Sequence, residues 1–220
     1  MLKAVVFDLD GVITDSAAYH FRAWSKIADK LGIPFDIEYN EKLKGVSRME
    51  SLNLILDNGP GRNSISDEKK NEIAEEKNNI YKELIKNITP KDLLPGILNC
   101  LIECKESGLK IALASVSKNA PFIIDRLGVG AYFDYIADAK KITRSKPFPD
   151  IFLDCANALG FEPKECIGVE DAEAGIAAIK AAGMKAVGVG NAESMKEADV
   201  VLGSTAQLST DIFNELGKKP

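Results

Sequence analysis

The chain is poor in histidine: His20 is the only one among 220 residues. That scarcity disfavours a Ser-His-Asp or Cys-His hydrolase. Cysteine is sparse too, and Cys100, Cys104, Cys155 and Cys166 lack the paired spacing of zinc ligands. They read as small apolar packers in a reducing compartment. No apolar run approaches the ~20 residues needed to cross a bilayer, so no membrane partner is expected. Asp8 and Asp10 interrupt the place where the apolar stretch of a secretory leader would lie, and the expected location is the cytoplasm. Basic residues are in deficit, 28 Lys and Arg against 33 Asp and Glu. The net charge of -5 argues against broad nucleic-acid binding but leaves room for a local basic pocket. No internal repeat or low-complexity tract is evident.

What is present is a chain that is 45% hydrophobic, enough to bury a sizeable core. Short β-rich apolar runs at residues 2–9, 110–114, 165–169, 185–189 and 199–202 read as buried strands. Helical patterns lie between them at 96–107, 120–127, 150–159 and 172–182, several ending at glycine. Such alternation implies a parallel sheet covered on both faces. Residues 16–93 differ, with helical patterns at 17–31, 47–57 and 66–86, a loop at 58–61 and no convincing buried strand. The expected fold class is therefore α/β: a Rossmann-like parallel-sheet core, residues 1–15 and 94–220, with an inserted all-helical cap domain, residues 16–93. Residues 217–220 are expected to be a frayed tail.

Four short segments carry chemistry. Asp8 and Asp10 follow the first strand directly, at the edge where open parallel sheets bind ligands. Alone they read equally as a strand-ending turn with solvated acids. Two acids straight after Val5-Val6-Phe7 are nevertheless costly without a compensating cation. Glu170 and Asp171 follow the strand at 165–169; alone they read as acids favoured at a helix start. Together with Asp8 and Asp10 they make a hard-oxygen set suited to Mg²⁺. Ser115-Val116-Ser117-Lys118-Asn119 follows the second core strand and opens a helix, as a phosphate site or as a simple cap. Lys146, held extended by Pro147, could reach the same pocket or lie in solvent.

This ordered set resembles the haloacid dehalogenase superfamily: a DxD after strand one, a Ser after a second strand, a Lys before a helix, and an acidic pair after a further strand. The resemblance covers essentially the whole chain. It is closest to the phosphohexomutases of that superfamily, on Phe7-Asp8-Leu9-Asp10-Gly11-Val12-Ile13-Thr14-Asp15, Ala18-Tyr19-His20, Leu43-Lys44-Gly45-Val46-Ser47-Arg48, Ser115–Asn119, Ser145–Asp150 and Gly168–Ala172. Ser16 stands where Thr is expected, and Val116 where Ala is expected.

The resemblance implies that β-D-glucose 1-phosphate and glucose 6-phosphate are interconverted through an aspartyl-phosphate enzyme and the 1,6-bisphosphate. Asp8 would be the nucleophile and Asp10 the general acid/base, with Ser115 and Lys146 neutralising the transferring group. Asp8, Asp10 (by its backbone carbonyl) and Asp171 would hold Mg²⁺, with Glu170 nearby. Arg48, Ser117, Lys118 and Asn119, with Val116 beside them, would bind the distal phosphate. His20, Trp24, Lys44, Gly45, Val46, Ser47, Lys77 and Asn78 would come from the cap and close over the sugar. Without the resemblance, Lys44 and Arg48 read as solvated charges, His20 as a structural contact, and Lys77-Asn78 as part of a charged helix. A sugar-phosphate phosphatase of the same superfamily is the competing expectation, and a non-enzymatic phosphosugar-binding regulator a third. A monomer is expected.

Overall fold

The computed structural model describes residues 1–43, 46–59 and 65–218. The chain divides into two compact units, Met1–Asp15 with Ile88–Pro220, and Ser16–Asn87.

The first unit is built on a six-stranded sheet in the order β3-β2-β1-β4-β5-β6, every neighbouring pair parallel. The strands are β1 (Ala4–Phe7), β2 (Lys110–Leu113), β3 (Tyr135–Ile136), β4 (Cys166–Glu170), β5 (Lys185–Val189) and β6 (Val200–Leu202). β1 is wholly buried because both faces of the sheet are covered, which a parallel sheet requires. Its alternate side chains divide between the faces. Ala4 and Val6 join a cluster with Ile151, Phe152 and Cys155 of α7 (Asp150–Leu159) and Ile176 and Ile179 of α8 (Glu173–Ala181). On the other face Phe7 meets Phe213 of α9 (Thr210–Lys218) edge-on, ring centroids 6.2 Å apart. α5 (Ile97–Glu106) and α6 (Ala120–Arg126) complete the unit, and all four cysteines are buried and free.

The second unit consists, among its described residues, of α1 (Ala17–Leu31), α2 (Ile37–Glu41), α3 (Arg48–Asp57) and α4 (Asp67–Ile85). Their apolar faces meet in a core of its own, including Trp24, Ile27, Leu52, Ile55 and Ile73. α1 stops at Gly32, whose left-handed φ of 68° closes the helix end. α3 starts in a reciprocal cap between Ser47 and Glu50.

The structure departs from expectation in places. Residues 88–93 lie with the first unit, because Thr14 Oγ1 donates to Asp92 O (2.7 Å), Leu94 N to Ile13 O (3.0 Å) and Arg126 Nε to Ile88 O (3.0 Å). The expected return to the core at residue 94 is thus too late. β3, α2 and α9 were not expected, and Gly217 and Lys218 form the last turn of α9 rather than a frayed tail. No helix among the described residues is long and apolar enough to cross a membrane.

Candidate active site

Polar residues first appear along β1 at its carboxyl end, and there the strand stops. Asp8 is the next residue, its backbone still donating to Val169 O of β4 at 3.0 Å. Gly11 then turns the chain with φ 79°. On β4, Glu170 is the last residue of the strand rather than the first after it, so its side chain starts from a fixed backbone. β1 and β4 are neighbours, and the sheet runs β1-β2-β3 one way and β4-β5-β6 the other. Ligands bind at such a switch point.

Lys146 lies 2% exposed and donates from Nζ to Asp8 Oδ1 and to Glu170 Oε1, both at 2.5 Å. The ring of Phe152 lies 5.3 Å beneath the ammonium. Glu170 Oε2 accepts from the backbone N–H groups of Asp171 (2.7 Å) and Ala172 (2.9 Å). Burial opposes the charge on Lys146, yet the carboxylates of Asp8 and Glu170 outweigh it and hold the ammonium above its usual range. Burial pushes the Asp8 carboxyl well up; Lys146 pulls it down, while Glu170 and Asp10 add to the rise. The Lys146–Pro147 peptide is cis.

One oxygen from each of Asp8, Glu170 and Asp171 lies within 4.8 Å of the others. Asp8 and Glu170, both buried, share the single Lys146 ammonium, which leaves negative charge that a cation or a proton would compensate. Hard oxygens alone in the donor set suit a divalent cation of the magnesium or calcium kind. Asp171 also packs its carboxylate against bare Gly11, where any Cβ would collide with Oδ2. The cradle therefore fits a divalent metal. The Asp10 side chain is not one of the three that converge.

Ser115 is buried, its Oγ accepting from Ser117 N at 3.2 Å, and Ser117 Oγ accepts from Asn119 N at 3.3 Å. Val116 is half-buried and packs against the α7–α8 cluster. Lys118 is exposed.

In the second unit Lys77 is 3% exposed. Its Nζ lies 2.9 Å from His20 Nδ1 and stands over the rings of Trp24 (4.8 Å) and Tyr81 (4.7 Å). An ammonium can only donate, so Nδ1 accepts and a neutral His20 carries its proton on Nε2. Nε2 is buried with no partner among the described residues. Burial, then the cations Lys77 and Arg48, hold the His20 pKa well below its ordinary range. Arg48 donates to Asn78 Oδ1 (2.8 Å) and to Glu75 (3.2 Å). Lys77 and Asn78 are thus interior groups and not part of a solvated charged face. Ser47 serves as the α3 cap, with Val46 just before it; Lys44 and Gly45 lie outside the described residues.

A model of the haloacid dehalogenase-like hydrolase family matches residues 2–183. The chain belongs to this family. Among its members, the beta-phosphoglucomutase of Bacillus subtilis (strain 168) is 49% identical over 214 residues, 97% of this chain and 95% of that protein. A crystal structure of beta-phosphoglucomutase from Clostridium difficile superposes with a TM-score of 0.97 at 52% identity, covering 99% of this chain and 97% of that one. Hexitol phosphatase B of Escherichia coli (strain K12) is 31% identical over 94% of this chain and 95% of its own length. Two residues of this haloacid dehalogenase-like site escaped the sequence reading: Phe152 beneath Lys146, and Gly175, against which Glu170 packs. The available signal was a glycine inside a helical pattern.

Proposed function

We propose that this chain is a β-phosphoglucomutase, an isomerase that interconverts β-D-glucose 1-phosphate and glucose 6-phosphate through a phosphorylated Asp8 and β-glucose 1,6-bisphosphate. The observation that carries the reading is Lys146 bonded to Asp8 beside the Asp171 carboxylate, in a chain 49% identical to a beta-phosphoglucomutase over 97% of its length.

In this reading Asp8 Oδ2 attacks phosphorus in line, since Oδ1 is held by Lys146. The Asp8–phosphorus bond forms as the bond from phosphorus to the sugar oxygen breaks, and Asp10 gives that oxygen its proton. In the return half, Asp10 takes the proton of the attacking hydroxyl and the phosphoryl group leaves Asp8. Lys146 and the Ser115 hydroxyl spread the charge of the transferring group. Mg²⁺, held by Asp8, the Asp10 backbone carbonyl and Asp171 with Glu170 beside it, would lower the repulsion between carboxylate and phosphate when bound. Arg48, Ser117, Lys118 and Asn119 are assigned to the substrate's second phosphate. His20, whose Nε2 needs an acceptor, is assigned to the sugar with Trp24, Lys77 and Asn78. The reading goes with a cytoplasmic monomer that binds phosphorylated hexoses and no nucleic acid.

The likeness to hexitol phosphatase B supports a second reading, in which water resolves the phosphoenzyme. Supplying β-glucose 1-phosphate, Mg²⁺ and a trace of the bisphosphate separates the two. Glucose 6-phosphate formed without matching inorganic phosphate is expected; stoichiometric phosphate release with little glucose 6-phosphate would overturn the mutase reading.

A further inference from the structure

Gly175 lies buried in the first turn of α8, with no left-handed φ to explain it. Glycine is among the poorest helix formers, so a glycine at an ordinary helical position calls for a steric reason. A Cβ on Gly175 would overlap Oε1, Cδ and Cγ of Glu170. The Glu170 carboxylate therefore occupies the space that any other side chain at 175 would fill. Backing away would pull α8 off the strand it packs on. Its Ile179 side chain lies 2.5–2.9 Å from where a Cβ on Gly168 of β4 would stand, and Gly175 N is tied to Ala172 O at 3.0 Å.

We propose that Gly175 is a positioning residue: its bare Cα keeps open the seat of the Glu170 carboxylate, and Glu170 in turn fixes Lys146 beside Asp8. Glu170 spends one oxygen on Lys146 and the other on two backbone N–H groups. It is thereby clamped from both ends, and its work is to orient the ammonium. An alanine at 175 pushes the carboxylate off these donors and leaves Lys146 with Asp8 alone. The functional part of this inference rests on the phosphoryl-transfer reading above.

The test is a double-mutant cycle of Gly175→Ala and Glu170→Ala, following kcat, KM and thermal midpoint. Gly175→Ala is expected to lower kcat by about 10²-fold, the size seen when one preorganised charge contact is lost. KM should stay within about threefold, since sugar contacts are untouched. In the Glu170→Ala background the same alanine should cost less than about threefold, because the seat is empty. Equal cost in both backgrounds, or an undiminished kcat in Gly175→Ala alone, contradicts the proposal. Should Gly175→Ala fail to fold, the proposal requires Glu170→Ala to restore folding; continued failure contradicts it. Crystal structures read the seat without reference to activity. Lys146 Nζ and Glu170 Oε1 should separate beyond hydrogen-bond reach in Gly175→Ala, and an intact bond contradicts the proposal. A parent enzyme without transferase activity, with Glu170 still displaced in the variant, would sink the functional reading and leave the seat standing.

Discussion

Lys146 is the residue on which the buried charge balance turns. Removing one partner of a buried ion pair is costlier than never having had the pair, at about 3–5 kcal/mol. Lys146→Ala is therefore expected to destabilise the protein by about that amount in denaturant unfolding and to abolish transfer; Lys146→Ala with parental stability would show that the acids do not depend on it. His20 gives a pH signature. Its folded pKa lies well below the 6.5 of an exposed histidine, so the unfolded chain binds a proton first as pH falls. Stability tied to His20 is present above pH 6.5 and is lost as pH drops below it, at up to about 1.4 kcal/mol per unit. Unfolding measured at several pH values should show this slope, and His20→Asn should flatten it. The acids were legible in the sequence because apolar runs fix where strands end, and Asp8, Glu170 and Asp171 stand at those ends. Gly175 showed only as a glycine inside a helical pattern; its steric contact with a side chain five positions back is encoded in no local pattern.

At the scale of elements, side-chain ties reinforce the parallel pairing of β2 with β3. Asp134, just before β3, accepts from Lys105 (2.8 Å), Lys110 (2.9 Å) and the Ile111 N–H (2.9 Å). Burial raises its pKa, but these donors outweigh it and bring it from 3.8 to about 2. That stability is fully present above pH 3.8 and is lost as pH falls towards 2. Asp134→Asn should accordingly show a shallower loss of stability between those values in acid unfolding; an unchanged acid limb would mean the tie carries little. β3 escaped the sequence reading because two residues, Tyr135 and Ile136, are too short for a period to register. α9 escaped it because part of what holds its start is remote: Glu103 of α5 accepts from Thr210 N at 3.2 Å. The helices α1, α4, α7 and α8 were legible from their apolar periodicity, although the burial of Lys77 and Asn78 in α4 was not.

For the whole molecule, chain order decides where chemistry can be placed. The sheet order 3-2-1-4-5-6 sets β1 and β4 side by side at the point where connections change direction. The first and last acidic motifs, distant in sequence, thereby meet through Lys146, and the helical insert between β1 and β2 leaves their pairing intact. The alternation of apolar runs and helical patterns encodes this architecture in the sequence. The exact return from the insert stayed hidden because it depends on hydrogen bonds between residues 13–14 and 92–94, which composition does not record. The chemistry requires that Asp8 carry the phosphoryl group. Incubation with bisphosphate, borohydride reduction of any acyl phosphate and peptide mass spectrometry test it directly. Reduction confined to Asp8 and absent in Asp8→Asn is expected; a reduced carboxylate elsewhere, or turnover retained in Asp8→Asn, would contradict the covalent step.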